Sequence, residues 1–267
     1  MSYIKFLFRA DNTNVGDWWC PPWKFFPFKP GTVHDIADVN CEITNTDILI
    51  VGGGGLGSEH FRQDLARLRA SKPKFSIVWG AGVDSVVKPG EVLSYGRYDL
   101  HGDYFDFFDE RGVRIFSEKK GYKYVPCASC MSNLFFKYRD TKPTAMIGAY
   151  NHKRVPLFAD GNSHSIPVSD NSGNDLESKI KFLSSFEYII TNTYHGVYWA
   201  TLLGRKVVCV PFKSGLFSFK FAPSYIYDAK ITDEILHQAV AYDDALEDSR
   251  NINVGYYSYL ANKYDIV

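Results

Sequence analysis

The sequence predicts an α/β protein made of two doubly wound, Rossmann-like units that face each other across a cleft. Three observations carry that expectation. Short apolar runs of strand length recur along the chain, several of them end in glycine-rich turns, and helical spacing follows those turns. A length of 267 residues suits two such units. The charged, proline-bearing run Arg139-Asp140-Thr141-Lys142-Pro143 breaks the pattern, which places an N-terminal domain at 1–140 and a C-terminal domain at 141–267.

The first strand is expected over residues 3–8. It is followed by the turn Asn14-Val15-Gly16-Asp17-Trp18-Trp19, where Asp17 either caps a helix or binds a sugar hydroxyl while Trp18 or Trp19 stacks on the sugar ring. A second strand over 47–51 runs into glycines at 52–55 and 57, and 58–70 has helical spacing with Phe61, Leu65 and Leu68 on one face. A further strand over 75–79 ends in Gly80-Ala81-Gly82, so this half contains a βαβ unit with a parallel, right-handed crossover. Gly52, Gly54 and Gly57 fit a dinucleotide fingerprint, but the acidic residue expected about 20 positions later is absent from Lys74-Phe75-Ser76-Ile77. The turn instead reads as a place where a ligand or the neighbouring domain approaches the backbone, with Gly53, Gly54 and Gly55 offering amides. An aromatic, acidic stretch over 98–109 leads to a strand over 113–116.

In the second half, a strand over 145–149 precedes a Gly/Ser/Asn-rich loop at 160–175 and a helix over 176–185. The apolar run 187–190 reads as a buried strand, and 196–203 as an amphipathic helix stopped by Gly204. Between them lie Thr191, Asn192, Thr193, Tyr194 and His195, at a strand-to-helix turn. In open α/β sheets that is where ligands bind, and helix N-termini there favour anions. His195 either caps the helix or works on a phosphate- or carboxylate-bearing substrate. A strand over 206–210 follows, then helical sequence from 233 onward, with a C-terminal helix free to pack back on the first domain. Lys213 suits a solvated loop, whereas Lys220, set between Phe219 and Phe221, is a candidate phosphate ligand.

Thirty basic against thirty acidic residues leave a formal net charge of zero, which argues against nucleic acid as a partner. The aromatic content of 16% leans toward a carbohydrate substrate. Five cysteines, an odd number, with no hydrophobic leader after Met1, point to the cytoplasm. No apolar run approaches the roughly 18–20 residues of a membrane helix, so any membrane contact is expected to be peripheral. Cys127-Ala128-Ser129-Cys130 has redox or zinc spacing, but no second ligand pair accompanies it, and its thiols are read as structural, with no metal expected.

The Asn-Val-Gly-Asp turn at 14–17, the glycines at 52–55, Trp79-Gly80-Ala81-Gly82, Val125-Pro126-Cys127-Ala128-Ser129-Cys130-Met131, and the 191–196 turn with Leu202-Leu203-Gly204 stand in an order that resembles the polysaccharide pyruvyl transferase family, over roughly residues 10–222. The resemblance implies two Rossmann-like domains arranged as in GT-B glycosyltransferases. It also implies transfer of a pyruvyl group from phosphoenolpyruvate to paired hydroxyls of a sugar, giving a cyclic ketal, with no cofactor beyond that donor substrate. Under it, His195 is the acid or base, and Arg114, Asn192, Thr193, Tyr194, Lys220 and the glycines at 53–55 bind the donor. Asp17, Trp18 and Trp19 face the acceptor, a sugar or lipid-linked oligosaccharide at the inner face of a membrane. The family commonly carries an arginine two residues before this histidine, where Thr193 stands here; a second family arginine corresponds to Arg114, followed here by Ile115. A glycosyltransferase using a nucleotide sugar and a non-catalytic glycan-binding relative are the alternatives.

Overall fold

The computed structural model describes residues 3–84, 103–116, 118–157, 166–227 and 230–267. Residues 98–102 of the aromatic, acidic stretch and 160–165 of the Gly/Ser/Asn-rich loop lie outside these.

The first sheet contains β1 (Ile4–Phe8), β2 (Gly31–Asp35), β3 (Ile48–Gly52), β4 (Phe75–Ala81), β5 (Glu110–Val113) and β6 (Lys123–Tyr124), all parallel, in the order β2-β1-β3-β4-β5-β6. The second contains β7 (Ala145–Asn151), β8 (Val168–Asp170), β9 (Phe186–Thr191), β10 (Lys206–Cys209) and β11 (Ser224–Tyr225), also parallel, in the order β11-β10-β9-β7-β8. Read from its own first strand, the second sheet repeats the 2-1-3-4-5 order of the first. Each sheet therefore has one point where the strand order reverses, between β1 and β3 and between β7 and β9. Central strands such as β3 are buried along their whole length, which is why they read as continuous apolar runs rather than alternating ones.

The glycine turn after β3 passes through a short 3-10 turn, Glu59–Phe61, before α2 (Arg62–Ser71) returns the chain to β4. In the second unit α4 (Leu176–Ser184) and α5 (Tyr194–Leu202) flank β9 and begin on side-chain caps. Asp175 accepts from the Ser178 amide at 3.1 Å, and Thr193 from the Gly196 amide at 2.8 Å. The helix at 196–203 was expected to be amphipathic, but α5 is buried on all sides from His195 to Leu202. It is wedged between its own sheet, the Cys127–Cys130 segment and α7 (Ala245–Lys263), so no face is left for polar residues.

The chain leaves the first sheet after Tyr124. Cys127, Cys130 and Phe135, the last on α3 (Leu134–Arg139), already pack in the core of the second unit. After α6 (Asp233–Gln238), α7 crosses in the opposite sense. Tyr256, Leu260 and Ile266 join Ile4, Ile50 and Ile77 in a core under the first sheet, and the Tyr256 hydroxyl donates to the Val78 carbonyl at 3.0 Å. Strand β5 was expected over 113–116 but runs from Glu110. Its buried carboxylate is tolerated because the Lys263 ammonium and the Tyr259 and Tyr264 hydroxyls, from α7 and the residue after it, donate to it at 2.6–3.0 Å. Arg114 consequently stands just beyond the strand's carboxyl end. No helix among the described residues is long and apolar enough to cross a membrane.

One buried amide fastens α7. Asn253 accepts from Trp79 Nε1 at 2.8 Å and donates to the Pro126 carbonyl at 3.1 Å and the Ser249 carbonyl at 3.0 Å. Asn253→Leu would strand the Trp79 N–H and the Pro126 carbonyl in a dry interior, and we expect a loss of about 2–4 kcal/mol in urea unfolding followed by circular dichroism. A loss below about 1 kcal/mol would show that the helix is held by its apolar face alone.

Candidate active site

The carboxyl ends of both sheets open on one cleft of about 690 Å³. The segments after β1, β3, β4 and β5 supply Asp17, Gly55, Asp84 and Arg114; those after β7, β9 and β10 supply His152, His195 and Lys213. Both strand-order reversals meet here, the crevice in which open α/β sheets bind their ligands.

Arg114 is 5% exposed, and its Nη1 is buried with no hydrogen-bond partner among the described residues. Its guanidinium carbon lies 3.7 Å from the centre of the Tyr194 ring, so a cation from the first unit rests on an aromatic face from the second. Gly82 makes room for it: a Cβ there would fall 2.4 Å from Arg114 Nε. Tyr194 is stacked in turn on Phe219, with centroids 5.0 Å apart.

His195 is the second residue of α5, and Thr193, not His195, caps the helix. The imidazole packs on Trp199, its Nε2 lies 3.5 Å from Cys127 Sγ, and its Nδ1 edge abuts Gly16, where a Cβ would sit 2.1 Å away. Burial, and then the Arg114 charge, push His195 well below the ordinary histidine range. The sequence suggests an imidazole titrating near neutrality; the structure holds it neutral. Asp17 moves the other way. Burial pushes its carboxyl up to about 6 against the pull of Arg114, with Asn14 Nδ2 donating to Oδ2 at 2.8 Å and Oδ1 placed where a Cβ on Gly54 would fall 3.2 Å from it.

Across the cleft, Lys153 Nζ donates to Asp11 Oδ2 at 3.1 Å and to Thr13 Oγ1 at 2.9 Å, linking the two units at the rim. Burial alone would raise the Asp11 carboxyl, but hydrogen bonds from Thr13 and Lys153 hold it at about 2. The Arg154 amide donates to His152 Nδ1 at 3.2 Å, and burial, then Lys213, Lys153 and Arg154, push that imidazole down to about 4. Asp84 fits a notch in which a Cβ on Gly55 or Gly215 would clash with its carboxylate, and Lys213 pairs with it at 3.7 Å.

Of the residues singled out from the sequence, Asp17, Gly55, Arg114, Asn192, Thr193, Tyr194 and His195 line the cleft. Two of these have structural tasks. The Asn192 amide accepts from the His152 amide and donates to the Val155 carbonyl, both at 2.8 Å, and the Thr193 hydroxyl caps α5. The others lie away from it. Trp18 and Trp19 surround Lys24, at 4.5 and 5.0 Å from its Nζ, and Trp19 Nε1 donates to the Asn174 carbonyl. Lys220 pairs with Asp248 on α7 at 2.7 Å. The Gly53 amide donates to the Trp79 carbonyl, and a Cβ on Gly53 would meet Cys20 Sγ, so that glycine serves packing. The sequence reading missed Asp11, Asp84, His152, Lys153 and Arg154; the signal for the last three was their place directly after the strand at 145–149. Cys127 and Cys130 are buried free thiols, and among the described residues no group of three or more His, Cys, Asp or Glu could hold a metal ion.

No family model and no curated protein matches the chain. The crystal structure of a functionally uncharacterised protein from Klebsiella pneumoniae is similar over 78% of this chain and 83% of that one, at 20% identity and a TM-score of 0.44, too distant to carry an argument about function.

A carboxyl titrating near 6 in the folded chain and near 3.8 when unfolded binds its proton more tightly in the fold, so stability falls as pH rises from about 4 to about 6. Asp17→Asn removes that charge while its carbonyl can still accept from Asn14. We expect the variant to be more stable than the parent at pH 8, by about 1–2 kcal/mol, and equal to it near pH 4, by urea unfolding. Equal stability at both pH values would refute the raised carboxyl.

Proposed function

We propose that the chain transfers a pyruvyl group from phosphoenolpyruvate to two hydroxyls of a sugar, giving a cyclic ketal in the assembly of a polysaccharide or lipid-linked oligosaccharide. The observation that carries this reading is Arg114: a guanidinium that lines the cleft, is buried with its Nη1 unpartnered among the described residues, and is set against the first turn of α5. Amides of a first helical turn lack partners inside the helix and favour negative charge. A small, highly charged anion bearing a carboxylate and a phosphate suits that combination. In this reading the two units face each other as in GT-B transferases, and the acceptor takes the part of the cleft walled by Asp11, Lys153, His152 and Phe212.

The reaction needs a proton on the methylene carbon of the donor and takes protons from both hydroxyls. Asp17, poised near 6, is the group suited to give and take a proton near neutrality. Its carboxylic proton goes to the methylene carbon, positive charge develops at C2, and the first hydroxyl oxygen bonds to C2 while its proton returns to the Asp17 carboxylate. The second hydroxyl oxygen then replaces the phosphate, and its proton leaves with that group. Arg114 stabilises the leaving phosphate. His195, held neutral, contacts the anion rather than carrying the proton.

Calorimetric titration of the full chain with phosphoenolpyruvate tests this reading. We expect binding that weakens about 10- to 100-fold in Arg114→Ala, the scale of a hydrogen bond to a charged group. Arg114→Lys should recover only part of it, because an ammonium cannot make the paired contact. Binding of nucleoside diphosphates or nucleotide sugars in its place would move the chain to the glycosyltransferases. Binding of glycan alone would leave a carbohydrate-binding protein.

A further inference from the structure

A run of buried hydrogen bonds leads from the core to His195. Trp199 Nε1 donates to Ser129 Oγ at 3.0 Å, the Ser129 hydroxyl donates to Cys127 Sγ at 3.2 Å, and Cys127 Sγ lies 3.5 Å from His195 Nε2. Its direction is set at the far end. An indole N–H can only donate, so Ser129 Oγ is an acceptor there and its single hydrogen is free for Cys127. The thiol then has one hydrogen left to place, and His195 Nε2 is the acceptor in reach among the described residues. The reverse sense, with Nε2–H donating to sulfur, would leave the thiol hydrogen without an acceptor in a site where Cys127 and Ser129 are both wholly buried.

We propose that Trp199, Ser129 and Cys127 hold His195 as the Nδ1–H tautomer, so that the imidazole meets the cleft as a hydrogen-bond donor to an anionic oxygen, with Cys127 as a positioning residue. Burial keeps Cys127 a thiol rather than a thiolate, although Ser129 and Arg114 pull the other way. Burial and Arg114 keep a second proton off His195. With Nε2 turned toward the interior thiol, Nδ1 is the nitrogen left for the cleft, beside Gly16. The reading of His195 as a contact to the donor anion rests on the function proposed above; the tautomer does not.

Long-range proton–nitrogen NMR of the full-length, nitrogen-15-labelled chain reads the tautomer directly at pH 7 without any substrate, with the His195 signals assigned by their loss in His195→Gln. We expect Nδ1 protonated and Nε2 bare in the parent. Cys127→Ser, whose hydroxyl can still donate, should preserve that state, and Cys127→Ala should release it to a mixture of tautomers. Nε2–H in the parent, or an unchanged Nδ1–H tautomer in Cys127→Ala, would overturn the proposal. Phosphoenolpyruvate binding separates the two claims. If the parent binds it, Cys127→Ala should weaken it about three- to ten-fold and Cys127→Ser should not. If the parent shows Nδ1–H but binds no phosphoenolpyruvate, the proposed reaction fails and the tautomer stands.

Discussion

The chemistry of the cleft depends on one placement, the Arg114 guanidinium buried between the two units. An arginine does not lose its charge in a protein, so its burial must be compensated by contacts. The Tyr194 ring supplies part of that compensation from 3.7 Å, yet Nη1 remains without a hydrogen-bond partner among the described residues. The electrostatics of the neighbouring groups follow from this fixed charge together with the dryness of the site. For His195 both influences act in one direction and the imidazole stays neutral. For Asp17 they oppose each other, and burial wins over the cation. A carboxyl that ordinarily titrates near 3.8 is thereby raised and an imidazole that ordinarily titrates near 6.5 is lowered, so that one pocket holds a carboxyl that titrates near neutrality beside a neutral imidazole.

The cleft exists because both sheets are parallel and share one strand order. Parallel strands send all their carboxyl ends to the same edge, and the order reversal in each sheet opens a gap between neighbouring loops at that edge. Two connections maintain the facing geometry. At the rim, Lys153 reaches Asp11 and Thr13, while the Val15 amide donates to the Asn171 carbonyl at 3.0 Å. At the back, α7 carries Asn253 and Tyr256 from the second unit under the first sheet. The Cys127–Cys130 segment lies where these paths cross, its sulfurs contacting His195 on one side and the Ser249 carbonyl on the other. Its spacing resembles a metal or redox motif, but its burial suits packing and hydrogen-bond direction.

The central strands were legible in the sequence because burial on both faces makes them continuous apolar runs, and the glycine turn after β3 marked the βαβ unit. Edge strands were not: β6 is only Lys123–Tyr124, and β2 is exposed over Gly31–Val33, so neither carries a pattern. Part of the site was legible for the same reason, since Asp17 and the 191–196 turn follow strands that could be seen, whereas Arg114 was expected inside a strand over 113–116 and stands beyond one that ends at Val113. Trp18 and Trp19, expected on the acceptor side beside Asp17, are not among the residues that line the cleft. They follow Asp17 through a single helical turn in which successive side chains point about 100° apart, so an aspartate turned inward sends the next two rings elsewhere. Lys220 was read from its aromatic neighbours, but the 3-10 turn at Ser214–Phe217 carries it to Asp248, a contact 28 residues away that no local pattern encodes.

Thr193 serves the helix rather than the charge of the site. Its hydroxyl accepts from the Gly196 amide, and an arginine in its place would give up that cap, a loss of about 1 kcal/mol for a typical helix. Arg114 stands on the opposite unit, just beyond the end of β5, and its guanidinium rests on Tyr194 of the same helix turn. An anion bound there would be held by a guanidinium from one unit and by helix amides from the other. A cation carried on the helix itself would have confined the anion site to the second unit. With the guanidinium on the first, an anion site here would depend on how the two sheets face each other, which Lys153, Asp11 and α7 hold at points away from Arg114.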